Sequence, residues 1–252
     1  MAPRRLGRTG LSVSPIALGT TKLGRNTDVK YPRPFDLPSD EQVQALLDAC
    51  LAAGINLIDT APAYGSSEAR LGKFLAGRRD RFVLCTKCGE SYENGRSTWD
   101  FSGAAIERSL DLSLRRLGTD RVDILLLHSN GQDLQILTET DALAALQRAK
   151  QAGKARAVGI SAKTAAGVVE ACRSLDIVMA PFSQSDSALE PALAKAHEAG
   201  LGILAIKGLA SGALAPEAAI EFVLRQPFID ALVLGTITPQ HLRQAVAVAE
   251  KL

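Results

Sequence analysis

The chain has 252 residues, 46% of them hydrophobic and 22% charged, a balance that excludes a disordered chain and fits a globular protein with a sizeable core. Its 29 basic and 27 acidic side chains leave a net charge of +2, with no long basic block to suggest a nucleic-acid or membrane-surface partner. No apolar stretch approaches the ~18 residues of a membrane span.

Met1 leads into Ala2-Pro3-Arg4-Arg5, which lacks the apolar core of a secretion signal. The expectation is a cytoplasmic protein whose four cysteines, Cys50, Cys85, Cys88 and Cys172, are free thiols. The segment from Arg4 to Ser14 alternates around a Gly/Thr turn and reads as a β-hairpin. Short apolar runs then alternate with amphipathic stretches to the end of the chain. The runs are Ile16–Leu18, Asn56–Ile58, Phe82–Thr86, Val122–Leu127, Arg156–Ile160, Ile177–Ala180, Gly202–Ala205 and Ala231–Leu234. Each precedes a predicted helix: Asp40–Ala53, Ser67–Leu75, Ser102–Leu117, Asp141–Gln151, Thr164–Cys172, Glu190–Ala199, Pro216–Arg225 and Pro239–Leu252. Ser39-Asp40-Glu41 and Pro239 look like helix starts, and Ala53-Gly54 and Ala199-Gly200 like helix stops.

Strict β-then-α alternation implies parallel strands with crossover helices. Eight units in this length favour a closed (β/α)8 TIM barrel with an N-terminal β-hairpin, read as a single domain over residues 1–252. The connections Thr20–Ser39, Cys88–Phe101 and Ser129–Thr140 follow strands. They should therefore crowd the C-terminal face, where barrel enzymes keep their sites.

Three polar residues stand at the ends of consecutive strands. Asn56-Leu57-Ile58-Asp59 ends in an acid, with Tyr64 in the loop that follows. Val83-Leu84-Cys85-Thr86-Lys87 ends in a lysine, and Ile124-Leu125-Leu126-Leu127-His128 in a histidine. Neighbouring strands lie ~4.8 Å apart, so Asp59, Tyr64, Lys87 and His128 should converge above the barrel. A buried Lys87 ammonium needs a counter-charge, which Asp59 supplies. A Tyr64 hydroxyl beside that ammonium is expected to have its pKa lowered toward the working range. It would then protonate a carbonyl oxygen as hydride reaches the carbon, while His128 donates a second hydrogen bond to the same oxygen. A lone Asp or His at a strand end is usually a loop hydrogen-bonder; four such residues in this order outweigh that reading.

These residues resemble the aldo-keto reductase superfamily. The segment Asp59-Thr60-Ala61-Pro62-Ala63-Tyr64-Gly65-Ser66-Ser67-Glu68 looks like the family signature, and Thr86-Lys87 and Leu127-His128 fall where the family's lysine and histidine fall. The resemblance implies an NADP-dependent enzyme that reduces an aldehyde or ketone, with Tyr64 as proton donor and NADPH bound without a Rossmann fold. It places cofactor contacts at Gly19, Thr20 and Thr21 after the first strand, at Asp59, and at Ser161 after the fifth. It adds Met179 in the sixth strand, Ile206, Lys207, Gly208 and Leu209 around the end of the seventh, and Gly235, Thr236, His241 and Arg243 after the eighth.

The chain also departs from the family pattern. Ser161-Ala162 stands where Ser-Asn is common, Met179 where Gln is common, and Ile206 where an aromatic ring usually stacks on the nicotinamide. The phosphate grip after the eighth strand is reduced to Thr236 and Arg243. NADP is therefore the first expectation and NAD the alternative. The chain ends at Leu252, where many members continue into a pocket-closing loop. Tyr31-Pro32-Arg33-Pro34-Phe35 and the segment from Ser91-Tyr92 to Trp99-Asp100-Phe101 could close the pocket instead, which would suit an apolar or aromatic aldehyde.

Two other functions compete with the reductase. One is a nicotinamide-nucleotide-binding sensor with little turnover, favoured by the thinned contacts. The other is a Schiff-base lyase, because Lys87 and Lys207 both end strands. Three histidines without ligand-like spacing give no metal site, and His197 and His241 are expected on helices facing solvent. Cys85 and Cys88 point to opposite faces of a strand, as a core cysteine and a rim cysteine rather than a redox pair. Glu68 reads as a structural residue of the first helical turn after the signature loop.

Overall fold

The structure is a computed structural model that describes residues 1–29, 31 and 33–252; Pro32 of the proposed pocket-closing segment lies outside the described residues. In chain order the strands are β1 (Arg4–Arg5), β2 (Ser12–Val13), β3 (Ile16–Gly19), β4 (Leu57–Asp59), β5 (Val83–Cys88), β6 (Glu90–Glu93), β7 (Arg96–Trp99), β8 (Val122–His128), β9 (Ala155–Ser161), β10 (Ile177–Pro181), β11 (Gly202–Ile206) and β12 (Ala231–Gly235). The α-helices are α1 (Thr21–Gly24), α2 (Asp40–Ala52), α3 (Ser67–Leu75), α4 (Gly103–Leu117), α5 (Asp133–Glu139), α6 (Ala142–Gln151), α7 (Ala165–Ala171), α8 (Glu190–Glu198), α9 (Pro216–Leu224) and α10 (Pro239–Ala249).

Eight parallel strands close in the order β3-β4-β5-β8-β9-β10-β11-β12, with β12 pairing back onto β3. This is the (β/α)8 barrel that the alternation implies. The antiparallel ribbon β1–β2 is the N-terminal hairpin. The eight expected strands and helices are present, with ends shifted by a few residues. Ser39 and Gln42 form a reciprocal capping box at the start of α2. Gly54 and Gly200, just past α2 and α8, take left-handed φ of 73° and 85°.

Three elements fall in segments expected to be plain connections. These are α1, α5 and the ribbon β6–β7, which rises from the end of β5. The ribbon turns at Asn94-Gly95, with φ of 51° and 76°. Asn-Gly suits the primed turns that match the twist of a two-residue hairpin.

Alternation along each strand divides the core into two layers. Leu57, Cys85, Ile124, Leu126, Ala157, Ile177, Met179, Leu204 and Val233 fill the barrel interior. Ile58, Leu84, Cys88, Leu125, Leu127, Ile160 and Val178 face the helices. Cys85 and Cys88 are therefore on opposite faces, and all four cysteines are free. Cys88 is not a rim residue as expected: it is fully buried beneath the helices, because its strand-face parity points it outward into that layer. The hairpin closes the opposite end of the barrel from the long connections, with Leu6, Leu11 and Val13 joining the interior layer. Gly7 makes this possible: φ is 48°, and a Cβ there would sit 2.3 Å from the Gly202 nitrogen.

Candidate active site

The same alternation that places Leu57, Cys85 and Leu126 inside the barrel puts Asp59, Lys87 and His128 at the top of the interior face. Ser161 lies beside His128 in strand register, Asp59 beside Gly19, and Gly19 beside Gly235. The C-terminal mouth is thus a ring of end residues from different strands.

Tyr64 reaches this ring from the loop after β4. Pro62–Tyr64 forms a 3-10 turn, followed by Gly65 with φ of 61°. A Cβ on Gly65 would meet the Gly24 carbonyl oxygen at 2.2 Å, and one on Gly24 would meet the Ser67 nitrogen at 2.2 Å. Only two glycines allow this approach, which locks the tyrosine loop against α1. Ser67 bonds to the Thr20 and Thr60 hydroxyls at 2.8 and 3.1 Å, and buried Glu68 accepts from Thr86 at 2.7 Å. Both hold the first turn of α3 on the barrel.

The Lys87 ammonium is buried and fully engaged. It donates to Asp59 Oδ1 at 2.6 Å, to the Thr60 carbonyl at 2.9 Å and to the Tyr64 hydroxyl at 3.1 Å. Burial alone would favour a neutral amine, but the Asp59 carboxylate beside it outweighs burial and raises the lysine pKa. Tyr64 behaves differently from the expectation. Its pKa is raised, because burial disfavours the phenolate by more than the nearby Lys87 ammonium favours it.

The His128 ring meets Tyr64 edge-on, with centroids 5.9 Å apart. Its Nδ1 lies 2.7 Å from Glu90 Oε2, a contact that is an ion pair only when the ring is protonated and that is not aligned as a hydrogen bond. Burial lowers the pKa of His128, and Lys87 adds to the effect; Glu90 opposes both without reversing them. Burial would raise Glu90, but the histidine contact dominates and pulls it down to about 2. Glu90 was not among the residues singled out from sequence. The signal that could have found it is the Asn94-Gly95 turn, which folds the ribbon back over the mouth.

The remaining half of the ring is apolar. Met179 is fully buried within the interior layer, whereas Ala162, one residue past Ser161, packs into the helix-facing layer. Ile206 packs partly buried against the interior layer. Ser161 is buried with its hydroxyl at the ring, whereas the Thr20 hydroxyl is spent on the Asp59 carbonyl at 2.9 Å. The Thr21 side chain lies near the Tyr64 hydroxyl and favours its phenolate, against the larger effect of burial. Gly208 is buried, Leu209 half-buried and Lys207 exposed. Lys207, Ala210 and Ser211 all take left-handed φ, at 58°, 45° and 60°, a cluster of strain that often marks a binding loop. Thr236 hydrogen-bonds His241 at 3.2 Å, and Arg243 is exposed. α10 begins without a side-chain cap; Pro239 has no N–H and the His241 N–H is bonded to the Thr238 carbonyl, which leaves the Gln240 N–H of the first turn for an anion. His197 is not solvent-facing as expected: it is half-buried, with Nδ1 enclosed, because the last turn of α8 packs toward Asp230.

This donor set fits a dinucleotide. Ser161 could hold a carboxamide, and Lys207, Arg243 and the start of α10 could hold phosphates. Gly19 and Gly235, side by side, leave the ring bare of side chains between Ile206 and Asp59. The Tyr31 hydroxyl reaches over Gly235, where a Cβ would meet it at 2.6 Å.

The loop aromatics pack mainly on each other and on cations. Tyr31 and Phe35 stack edge-on around Lys22. Tyr92 carries the Arg25 guanidinium 3.4 Å above its ring and donates to Asp28 at 2.7 Å. Trp99 is exposed and Phe101 packs against the core. Among the described residues, no helix is long and apolar enough to cross a membrane, and no cluster of three His, Cys, Asp or Glu could hold a metal ion.

An eight-stranded parallel barrel with its polar residues gathered at the C-terminal mouth defines a barrel enzyme. Residues 15–218 match the family model described as the Aldo/keto reductase family. The chain belongs to that family, and it is an oxidoreductase of the kind that acts on carbonyl compounds with a nicotinamide cofactor. It is 33% identical over 237 residues to L-galactose dehydrogenase of Arabidopsis thaliana, covering 87% of this chain and 69% of that one. It is 29% identical over 300 residues to D-threo-aldose 1-dehydrogenase of a Pseudomonas species, covering 93% and 89%. A solved Pseudomonas aeruginosa structure assigned to the aldo-keto reductases superposes with a TM-score of 0.92 at 41% identity, covering 99% of this chain and 94% of that one.

Proposed function

We propose that this chain reduces an aldehyde or ketone to the alcohol, with NADPH as hydride source and Tyr64 as proton donor. The observation that carries the reading is the Lys87 ammonium, 2.6 Å from Asp59 and 3.1 Å from the Tyr64 hydroxyl. When bound, the nicotinamide supplies the hydride. The raised pKa of Tyr64 keeps its proton on the phenol at neutral pH, the form an acid catalyst needs. Lys87 keeps the departing proton from leaving an uncompensated phenolate, because its ammonium already faces that oxygen. Asp59 in turn keeps the ammonium charged inside the barrel. His128 lines the same opening, where it can orient the substrate oxygen.

The choice of NADPH over NADH rests on the family resemblance and on Arg243 and Lys207 as phosphate cations. The reading is one functional domain acting on a small carbonyl compound in the cytoplasm. Steady-state assays with a panel of aldehydes and sugars, in both directions and with both cofactors, test it. Turnover that is faster with NADPH supports the reading. Tighter binding of NADH by fluorescence titration would overturn the cofactor assignment, and no turnover on any substrate would overturn the enzyme.

A second reading, a nicotinamide-nucleotide sensor with little turnover, draws on Met179 and Ile206, whose side chains offer a carboxamide no hydrogen bond. The same panel separates the two, because a sensor would bind cofactor tightly and turn over nothing.

A further inference from the structure

We propose that Glu90 is a positioning residue that holds the Nδ1 edge of His128, so that the ring donates to a carbonyl oxygen only as the imidazolium. As the neutral ring, His128 can only accept a hydrogen bond, from an alcohol hydroxyl. The proposal rests on the reading of Tyr64 and His128 as the residues that face the substrate oxygen.

Glu90 opens β6, immediately above the end of β5. The Ser97 hydroxyl, on the returning strand β7, donates to Glu90 Oε1 at 2.6 Å. The other oxygen, Oε2, sits 2.7 Å from His128 Nδ1. Two residues further along β6, Tyr92 is stitched to the β3–α2 connection through Arg25, Asp28 and Thr27. Arg25 also donates to the Ala63 carbonyl at 3.1 Å, next to Tyr64. The ribbon is thus anchored to the β3–α2 connection and, through Arg25, to the Tyr64 loop, and the carboxylate has little freedom to leave the histidine.

The proton inventory follows from that separation. A carboxylate only accepts hydrogen bonds, and a bare ring nitrogen carries a lone pair. A bare Nδ1 held 2.7 Å from a carboxylate oxygen would set two negative partial charges against each other, whether or not the pair is aligned as a hydrogen bond, so the proton belongs at Nδ1. Ser97 donating to the far oxygen and the nearby Arg25 charge keep Glu90 in the carboxylate form. With Nδ1 protonated, the neutral ring has a bare Nε2. A bare Nε2 cannot donate to a carbonyl oxygen, but it can accept from the hydroxyl of an alcohol. Taking one more proton converts it into a donor.

His128 is therefore a direction-sensitive group. The charges that face it are Glu90 from β6, Lys87 from β5 and Asp59 from β4, with the Tyr64 phenol edge-on. Below its titration midpoint the imidazolium favours carbonyl reduction. Above that midpoint the neutral ring favours alcohol oxidation. Raising the pH should lower kcat/KM for reduction and raise it for oxidation through the same midpoint.

The test is 15N NMR of the histidine rings in the cofactor-free protein, with His128 assigned by loss of its signals in His128→Asn. Glu90→Ala and Glu90→Gln are compared with wild type. The wild-type ring should carry its proton on Nδ1 when neutral. Glu90→Gln keeps an oxygen that accepts from Nδ1 but removes the charge. It should retain that tautomer while lowering the midpoint by about 1–3 pH units, the usual effect of one close opposite charge. Glu90→Ala should lower the midpoint equally and release the tautomer. The pH profiles of reduction and oxidation should move by the same amount. A wild-type ring protonated at Nε2, or a midpoint unmoved in both variants, would overturn the proposal. The NMR readout needs no turnover, so its failure strikes the role of Glu90, whereas an inactive wild type strikes the reductase reading.

Discussion

The two halves of the barrel mouth are built on different terms. On the side of β4, β5 and β8, polar groups are buried and almost all are partnered: Asp59 with Lys87, Lys87 with Tyr64, and His128 with Glu90. On the side of β9 to β12, the ring is Ser161, Met179, Ile206 and Gly235, and the loop after β11 has three left-handed non-glycine residues. The first half is organised by ion pairs and hydrogen bonds among its own residues, whereas the second offers few polar partners of its own. Buried charges tolerate little change because each depends on the next. An apolar ring tolerates substitution until a ligand requires something of it.

The largest expected effect lies on the organised half. Tyr64→Phe removes only a hydroxyl, and loss of the general acid should slow hydride transfer by about 10²–10⁴-fold in single turnovers, with cofactor affinity nearly unchanged. Equal rates would show that Tyr64 is not the acid. Lys87→Met should cripple turnover too, but with a second signature. It leaves Asp59 buried without its partner, a change that typically costs about 3–5 kcal/mol of folding stability. Urea unfolding of the two variants side by side checks this: Tyr64→Phe should stay near wild type and Lys87→Met should not.

A smaller effect is expected on the open half. Arg243→Ala should weaken NADPH by roughly tenfold, about the 1.4 kcal/mol of one partly exposed ionic contact, and leave NADH alone. An equal loss for both cofactors would move Arg243 away from the 2′-phosphate. The smallest effect is a matter of pH. The Glu90 carboxyl is depressed in the fold from 4.5 to about 2. The unfolded chain therefore binds that proton more readily than the native protein does, and the contribution to stability is full above about 4.5 and lost as the pH falls toward 2. The difference in Tm between wild type and Glu90→Gln should shrink across that window. A difference that stays constant down to pH 2 would separate Glu90 from the charge balance of the mouth.

The contrast between the halves also explains what could be read from the sequence. Asp59, Lys87 and His128 were legible because strand parity is simple: residues two apart share a face, and the last interior residue of each strand must reach the mouth. The barrel was legible for a similar reason, since eight alternating units leave few other closures. The proton affinity of Tyr64 was not legible. The neighbouring lysine can be read from the chain, but the burial that outweighs it is a property of the assembled loops. Glu90 was hidden because its partner comes from a strand more than thirty residues away, brought within reach by a ribbon taken for a plain connection. Asn94-Gly95, a pair suited to a primed two-residue turn, is the local mark of that ribbon. Cys88 shows the parity rule applied and then misjudged: the outward face was right, but helices cover it.

The closed end of the barrel has a consequence for how the proton on Tyr64 is replenished. Beneath Lys87 the interior is filled by Leu57, Ile124, Leu126, Ile177, Leu204 and their neighbours, and Leu6, Leu11 and Val13 cap the far end. None of these side chains relays a proton. In the proposed reaction, each proton that Tyr64 gives to a substrate must therefore be replaced from solvent on the same side by which the substrate enters and leaves. Recharging the acid and exchanging ligands share one opening, so whatever occupies the mouth also sets when the next proton can arrive.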